Sequence, residues 1–289
     1  MTVNRSMNCC GVLLGMLCSA ILSAAGLPSG VVSFTYPNQT VYSIQDVPMS
    51  MSGTLFSSIE PTERLKLASS YKASLNVFLI IDKTTNRRCL VDAGYGNEKS
   101  ALLSRLSALG IAPDTISAVF ITHIHPDHVG GLTLPEAEGK PAFPKARIFI
   151  ARQEYEAWSN DSNRARLGRH LKPCQKQLSL VEYGQEIAPF GLTPLCLPGH
   201  TPGHTVFRMA PQPGEEVYFV GDIVHATELQ IPHYRYCARF DSEPRTAVAS
   251  RKKMLEQGKT WFGAHIIFPG KALILKTATG FSFQLGQAQ

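Results

Sequence analysis

The sequence predicts an α/β fold in which two β-sheets pack face to face with helices outside. Two observations carry this. Apolar runs of strand length outnumber helical repeats, and some neighbouring runs join through tight turns while others are separated by segments of helical periodicity. A third sets the scale: 289 residues with 44% hydrophobic and 17% charged side chains hold enough apolar material for a packed globular core.

The elements follow in order. Residues 1–25 carry one charge, Arg5, and lead into the apolar run GVLLGMLCSAILSAAG at 11–26, rather short for a membrane span. With small residues at Ser23-Ala24-Ala25, this pattern predicts a secretory signal peptide cleaved near Ala25, an uncleaved anchor being the alternative. The expected organisation is therefore a leader over 1–25 and a single domain over 26–289. A periplasmic or secreted location follows, with no stable membrane insertion once the leader is gone. Residues 74–92 read as two strands around the polar turn Lys83-Thr84-Thr85-Asn86. Leu102, Leu103, Leu106 and Leu109 have helical spacing, closed by Gly110. ISAVFITH is a short buried strand, and KARIFIARQEYEAW a strand followed by a helix. Residues 159–183 show no clear periodicity and read as a surface excursion or a flap near a pocket. LTPLCLPGHTPGHTVFRM gives two strands joined by a histidine-bearing turn, and EEVYFVGD another strand. PRTAVASRKKMLEQ is a helix opened by proline, TWFGAH a strand, and the tail KALILKTATGFSFQLG one or two more.

The net charge of +6 is mild, and its basic residues are scattered without interleaved aromatics, so a nucleic-acid partner is not expected. Of seven cysteines, Cys9, Cys10 and Cys18 fall in the leader. Cys89, Cys174, Cys196 and Cys237 form no CxxC pair and make poor zinc ligands; an oxidising compartment would allow one or two disulfides among them.

The stretch ITHIHPDHVGG, residues 121–131, concentrates three of the chain's nine histidines and an aspartate within six positions. With nine His and eight Asp in 289 residues, HxHxDH arises by chance in roughly one such chain in four thousand. Imidazole nitrogen and carboxylate oxygen suit zinc and its neighbours. His123 and His125 alternate with Ile124, so both can face one way; Pro126 turns the chain, and Gly130-Gly131 leave room for close backbone approach. Further ionisable groups stand just past apolar strands: His200 and His204, Asp222, and His265. A buried polar tip is costly there unless paired or bound to metal.

The ordered set His123/His125/Asp127/His128, His200, Asp222 and His265 resembles the metallo-β-lactamase superfamily over roughly residues 74–270. The resemblance implies an αββα sandwich with a dinuclear metal site at one edge of the sheets. By that likeness His123, His125 and His200 hold one divalent ion, Asp127, His128 and His265 the other, and Asp222 bridges them. Zinc is expected, though manganese, cobalt or iron would be accepted by the same ligands. His204 is expected to orient a ligand rather than bind. The β-lactamases generally lack the aspartate that Asp222 supplies, and only 24 residues follow His265, fewer than the helical extension of the glyoxalase II enzymes. The Asp222-Ile-Val-His225 run, the Gln230-Ile-Pro-His233 run and Phe240-Asp241 are most similar to the methyl parathion hydrolase and lactonase group. That likeness implies hydrolysis of a lactone, aryl ester or phosphotriester of low molecular weight. Two metals sharing a water would present hydroxide at neutral pH, with Asp127 as the catalytic residue moving a proton to the leaving group. Trp158, Tyr234 and Tyr236 are the candidates for lining the substrate pocket. Relatives of the group are often dimers, so a homodimer is the expected assembly. The alternatives are an amide hydrolase of β-lactamase type and a metal-binding module without turnover.

Overall fold

A computed structural model describes residues 26–60, 62, 65–134, 139–159 and 164–287; the expected leader lies outside the described residues. The chain opens with β1 (Val31–Thr35), β2 (Gln39–Ser52), β3 (Phe56–Ser58), β4 (Ser70–Asp82) and β5 (Arg88–Val91). Helix α1 (Leu102–Ala108), β6 (Ala118–Ile121), α2 (Pro126–Val129), β7 (Arg147–Ala151), α3 (Arg152–Ser159), α4 (Arg164–His170) and β8 (Leu178–Val181) follow. The second half contains β9 (Leu192–Cys196), β10 (Thr205–Gln212), β11 (Glu215–Gly221), α5 (Thr227–Gln230) and β12 (Tyr236–Ala238). It closes with α6 (Pro244–Gln257), β13 (Thr260–Gly263), β14 (Lys271–Thr277) and β15 (Gly280–Leu285).

The strands form a seven-stranded sheet, β1-β2-β4-β5-β6-β7-β8, and a six-stranded sheet, β15-β14-β13-β11-β10-β9. Both are mixed: β5 to β8 run parallel, as do β11 and β13, while the remaining pairs are antiparallel. Parallel strands covered on both faces should be continuously apolar. The sequence AVFI of β6 is buried at every position. Phe78, Phe120 and Phe149 of the first sheet meet Phe207, Phe219 and Phe262 of the second in one cluster. Outside the first sheet, Leu102, Leu106, Val129 and Trp158 from the helices complete a second cluster. Outside the second sheet, Met254 and Leu255 of α6 pack with Trp261 and Ile274. The layers are therefore helix, sheet, sheet, helix, which is the αββα sandwich expected.

Two local expectations need correction. The segment 159–183, expected to be an excursion or a flap near a pocket, holds α4, whose Arg169 and His170 border a hollow, and β8, which pairs in parallel with β7 and continues the first sheet. The four cysteines among the described residues, Cys89, Cys174, Cys196 and Cys237, are free thiols, three of them buried, so no disulfide joins them.

Parallel pairing places the C-terminal ends of β5 and β6 at one edge, and those of β11 and β13 end together likewise. The residues that follow these four strands, with the loop between β9 and β10, build the site.

Candidate metal centre

Beyond β6 the chain bends at Thr122 and reaches His125, whose extended φ of −90° and ψ of 155° precede Pro126 at the first position of α2. Ile124 enters the core, and His123 and His125 turn the other way, as the alternation predicts. The turn is tight because Gly130 and Gly131 lie against the backbone after β5. A Cβ on either would come within 2.0 Å of a carbonyl oxygen, that of Tyr95 or of Ala93.

His123 Nε2, His125 Nδ1 and His200 Nε2 form a triangle with sides of 2.9, 2.9 and 3.2 Å. Three nitrogens in mutual contact cannot be satisfied by the single proton of each neutral ring. The sides approach the edge of about 3.3 Å expected for donors ~2.0–2.1 Å from one tetrahedral ion. Asp127 Oδ2 lies 3.6 Å from His128 Nε2 and 3.3 Å from His265 Nε2, giving a second group. Asp222 stands between them. Its Oδ2 is 3.3 Å from His200 Nε2 and 3.3 Å from His265 Nε2, and its Oδ1 is 3.2 Å from His128 Nε2. All seven residues named from the sequence thus converge.

The opposite nitrogens fix the rings. His123 Nδ1 meets the Thr122 hydroxyl at 3.0 Å, His128 Nδ1 meets Asp92 at 2.8 Å, His200 Nδ1 meets Asp241 at 3.0 Å, and His265 Nδ1 meets the Ser74 carbonyl at 3.1 Å. Each contact assigns the proton to Nδ1 and leaves Nε2 with a lone pair facing inward. His204 behaves as expected of a residue outside the ligand set. Its Nδ1 donates to the Leu197 carbonyl, and its Nε2 accepts the Asp222 N–H at 3.0 Å.

Asp92 escaped the sequence reading, while Asp241 and His225, named there only for their family likeness, prove to touch the ligand set. Asp92 ends the apolar strand β5, the same signal that singled out Asp222. It holds a left-handed φ of 63° while receiving Thr122 and His128. Asp241 also accepts the Ala238 N–H and lies 3.4 Å from the buried Arg251 guanidinium. His225 is buried beside Asp222, its Nε2 3.2 Å from Oδ2 and its ring stacked on His265. Only its backbone N–H bonds within the loop, to Gln230.

Charge and burial pull the rings apart. Burial and the neighbouring His200 push His125 down to about 3. Burial also opposes protonation of His200 and His265, yet Asp222 with Asp241 lifts His200 to about 9, and Asp222 with Asp127 lifts His265 to about 10. The carboxylate of Asp222 stays well below its usual range because His265, His128 and His123 outweigh its burial. Without metal the carboxylates thus favour protons on His200 and His265, and the same negative field draws the positive charge of a cation that would displace them. His128 Nε2 and Asp222 Oδ1 face each other at 3.2 Å, buried and short of hydrogen-bond geometry. Lone-pair nitrogens, carboxylates and orphaned atoms aimed at common points fit divalent cations.

A cavity of about 520 Å³ opens over this cluster, lined by Met49, Met51, Tyr95 and Phe240 together with His125, Asp127, His225 and His265. A larger hollow of about 870 Å³, bordered by Glu98, Thr133, Arg169 and His170, contains none of the ligand set. The three aromatic residues expected to line the pocket do not. Trp158 is buried under His125 with its indole N–H bonded to Glu154, and the Tyr236 hydroxyl accepts the Leu65 N–H. Tyr234 packs on Phe281. Each has an apolar body taken up by packing, which removes it from the cavity wall. Phe240, 44% exposed, and Tyr95, 41% exposed, take that place.

A family model described as the metallo-beta-lactamase superfamily matches residues 74–262. An N-acyl homoserine lactonase from Bacillus sp is 28% identical over 165 residues, covering 55% of this chain and 58% of the relative. The chain thus spans little more than half the length of that curated relative. The crystal structure of hydrolase AbOPH in the beta lactamase superfamily superposes with a TM-score of 0.78 at 22% identity, covering 91% of this chain and 100% of that one. AidC, a dizinc quorum-quenching lactonase in complex with a product, gives 0.78 at 24% identity, covering 90% and 98%. At these identities the structural likeness shows the fold.

Proposed function

The chain belongs to the metallo-beta-lactamase superfamily, and from that premise we propose that it is an exported dinuclear-metal hydrolase that opens a lactone or a related ester. Export rests on the leader pattern of residues 1–25. The observation that carries the chemistry is Asp222, a buried carboxylate 3.2–3.3 Å from His200 on one side and from His128 and His265 on the other. His123, His125 and His200 would hold one ion, Asp127, His128 and His265 a second, and Asp222 both, with zinc matching the nitrogen-rich donor set. When bound, the ions polarise the scissile carbonyl or phosphoryl oxygen and acidify a water.

The protein's own residues supply orientation and proton handling. Thr122, Asp92, Asp241 and the Ser74 carbonyl hold four imidazoles with their lone pairs inward. Asp127 is the ligand carboxylate open to the cavity, its side chain 21% exposed against 3% for Asp222. With Oδ2 engaged by His265, Oδ1 is the atom that takes the proton released by the attacking water and passes it to the leaving group. Met49, Met51, Tyr95 and Phe240 give the substrate an apolar wall that excludes water from one side. A lactone is placed first because the lactonase relatives match in sequence and the wall is apolar.

The test is a panel of lactone, aryl ester, phosphotriester and β-lactam, assayed with metal-loaded and chelator-treated protein. Lactone turnover should be fastest, vanish on chelation and return with zinc. Undiminished turnover after stripping, or no ester or lactone turnover by loaded protein, would refute the proposal.

A further inference from the structure

Behind the metal centre lies a carboxylate that is no part of the ligand set. Glu154, in the first turn of α3, has no exposed surface. Its Oε1 accepts the Ile124 N–H at 2.8 Å and the Trp158 indole N–H at 2.7 Å. Its Oε2 accepts the Thr201 hydroxyl at 2.7 Å and the Gly203 N–H at 3.0 Å. Ile124 sits between His123 and His125. Thr201 follows His200, and Gly203 precedes His204, which receives the Asp222 N–H. One carboxylate therefore staples the loop after β6 to the loop between β9 and β10.

The contact is close on the backbone side as well. A Cβ on Gly203 would lie 2.2 Å from the Glu154 backbone nitrogen, so only glycine lets the loop press against α3. Gln153 adds a bond to the Pro202 carbonyl at 3.0 Å. His125 differs from the other ligand histidines in turning Nδ1 inward, and its ring stands edge-on to the Trp158 indole with centroids 5.4 Å apart. Trp158 is in turn fixed by Glu154.

We infer that Glu154 is a positioning residue for the three-histidine half of the centre, setting the 2.9 Å approach of His125 to His200 and, through Trp158, the plane of the His125 ring. A carboxylate suits the task because four buried donors need four acceptor sites, which two ionised oxygens provide. Glutamine presents one acceptor oxygen and turns an NH2 toward other donors. The inference rests on reading the cluster as a metal centre.

The experiment is a zinc titration of the folded protein in competition with a chromophoric chelator, on wild type, Glu154→Gln, Thr201→Val and His200→Ala. His200→Ala deletes a donor of the three-histidine group and so identifies its binding step. Glu154→Gln should weaken that step by about 10- to 100-fold and leave the other within about threefold. Thr201→Val, which removes one donor of the four and leaves Glu154 in place, should weaken the same step less. If Glu154→Gln fails to fold, Thr201→Val decides. Wild type with two zinc steps, both unchanged in the folded variants, overturns the positioning role alone. Equal weakening of both steps, with metal-free and loaded melting temperatures lowered alike, marks a merely structural residue and also overturns it. Wild type that binds no zinc overturns the metal reading beneath it.

Discussion

The strands that end in the histidine cluster also build the phenylalanine core, and the two regions are held together by different means. β6 contributes Phe120 and then leads to His123, β11 contributes Phe219 and then Asp222, and β13 contributes Phe262 and then His265. In the core these rings are fully buried, and Phe120 meets Phe207 edge-on at 5.4 Å while Phe219 stacks on Phe262 at 5.2 Å. Packing satisfies them completely. A few residues further on, imidazoles and carboxylates are buried almost as deeply, but His128 Nε2 and Asp222 Oδ1 find no hydrogen bond. One region is complete within the chain, and the other presents a donor set that fits divalent cations.

Breaking each region separately sharpens that contrast. Asp222→Ala should abolish tight metal binding and lower hydrolysis about a thousandfold or more, while circular dichroism shows the fold retained. Phe219→Ala should do the reverse. Denaturant unfolding should show a loss of about 3–5 kcal/mol in loaded and metal-free protein alike, because the lost contacts belong to the core. Asp241→Asn keeps the shape but weakens the partner of His200 Nδ1. Metal affinity should fall about 10- to 100-fold, with thermal stability of the metal-free form changed much less.

The smallest effect belongs to the far end of the sheets. Asp82 caps the turn after β4, and hydrogen bonds from Thr85 lower its pKa. A lowered folded pKa stabilises above the unfolded value of about 3.9, and that gain is lost as pH falls through the folded one. Asp82→Ala should therefore cost about 0.5 kcal/mol or less at pH 7, read by chemical unfolding, because the site is solvent-exposed, and less as pH falls through the folded pKa. Metal content should not change at pH 7.

The same contrast explains what was legible in the sequence. β6, β11 and β13 are short apolar runs that end on an ionisable residue, a signal that survives without tertiary context. Asp92 carries that signal at the end of β5 as well, but no histidine stands beside it in the sequence to mark it as part of the site. β2 was not legible. It holds Pro48 and the buried Asp46, whose oxygens accept the N–H groups of Tyr95, Ala101 and Leu102, partners about fifty residues away. The cavity wall was also hidden, since Met49, Met51, Tyr95 and Phe240 come from three separate segments. Trp158, Tyr234 and Tyr236 are aromatic residues whose rings are taken up by packing rather than by the cavity, which their sequence positions do not reveal.

Native mass spectrometry of the zinc-titrated protein tests the central claim most directly. A dinuclear centre bridged by Asp222 predicts saturation at two zinc ions per wild-type chain, and at most one weakly held ion in Asp222→Ala. A folded wild-type chain that saturates at one ion, binds none, or keeps both after loss of the Asp222 carboxylate would contradict it.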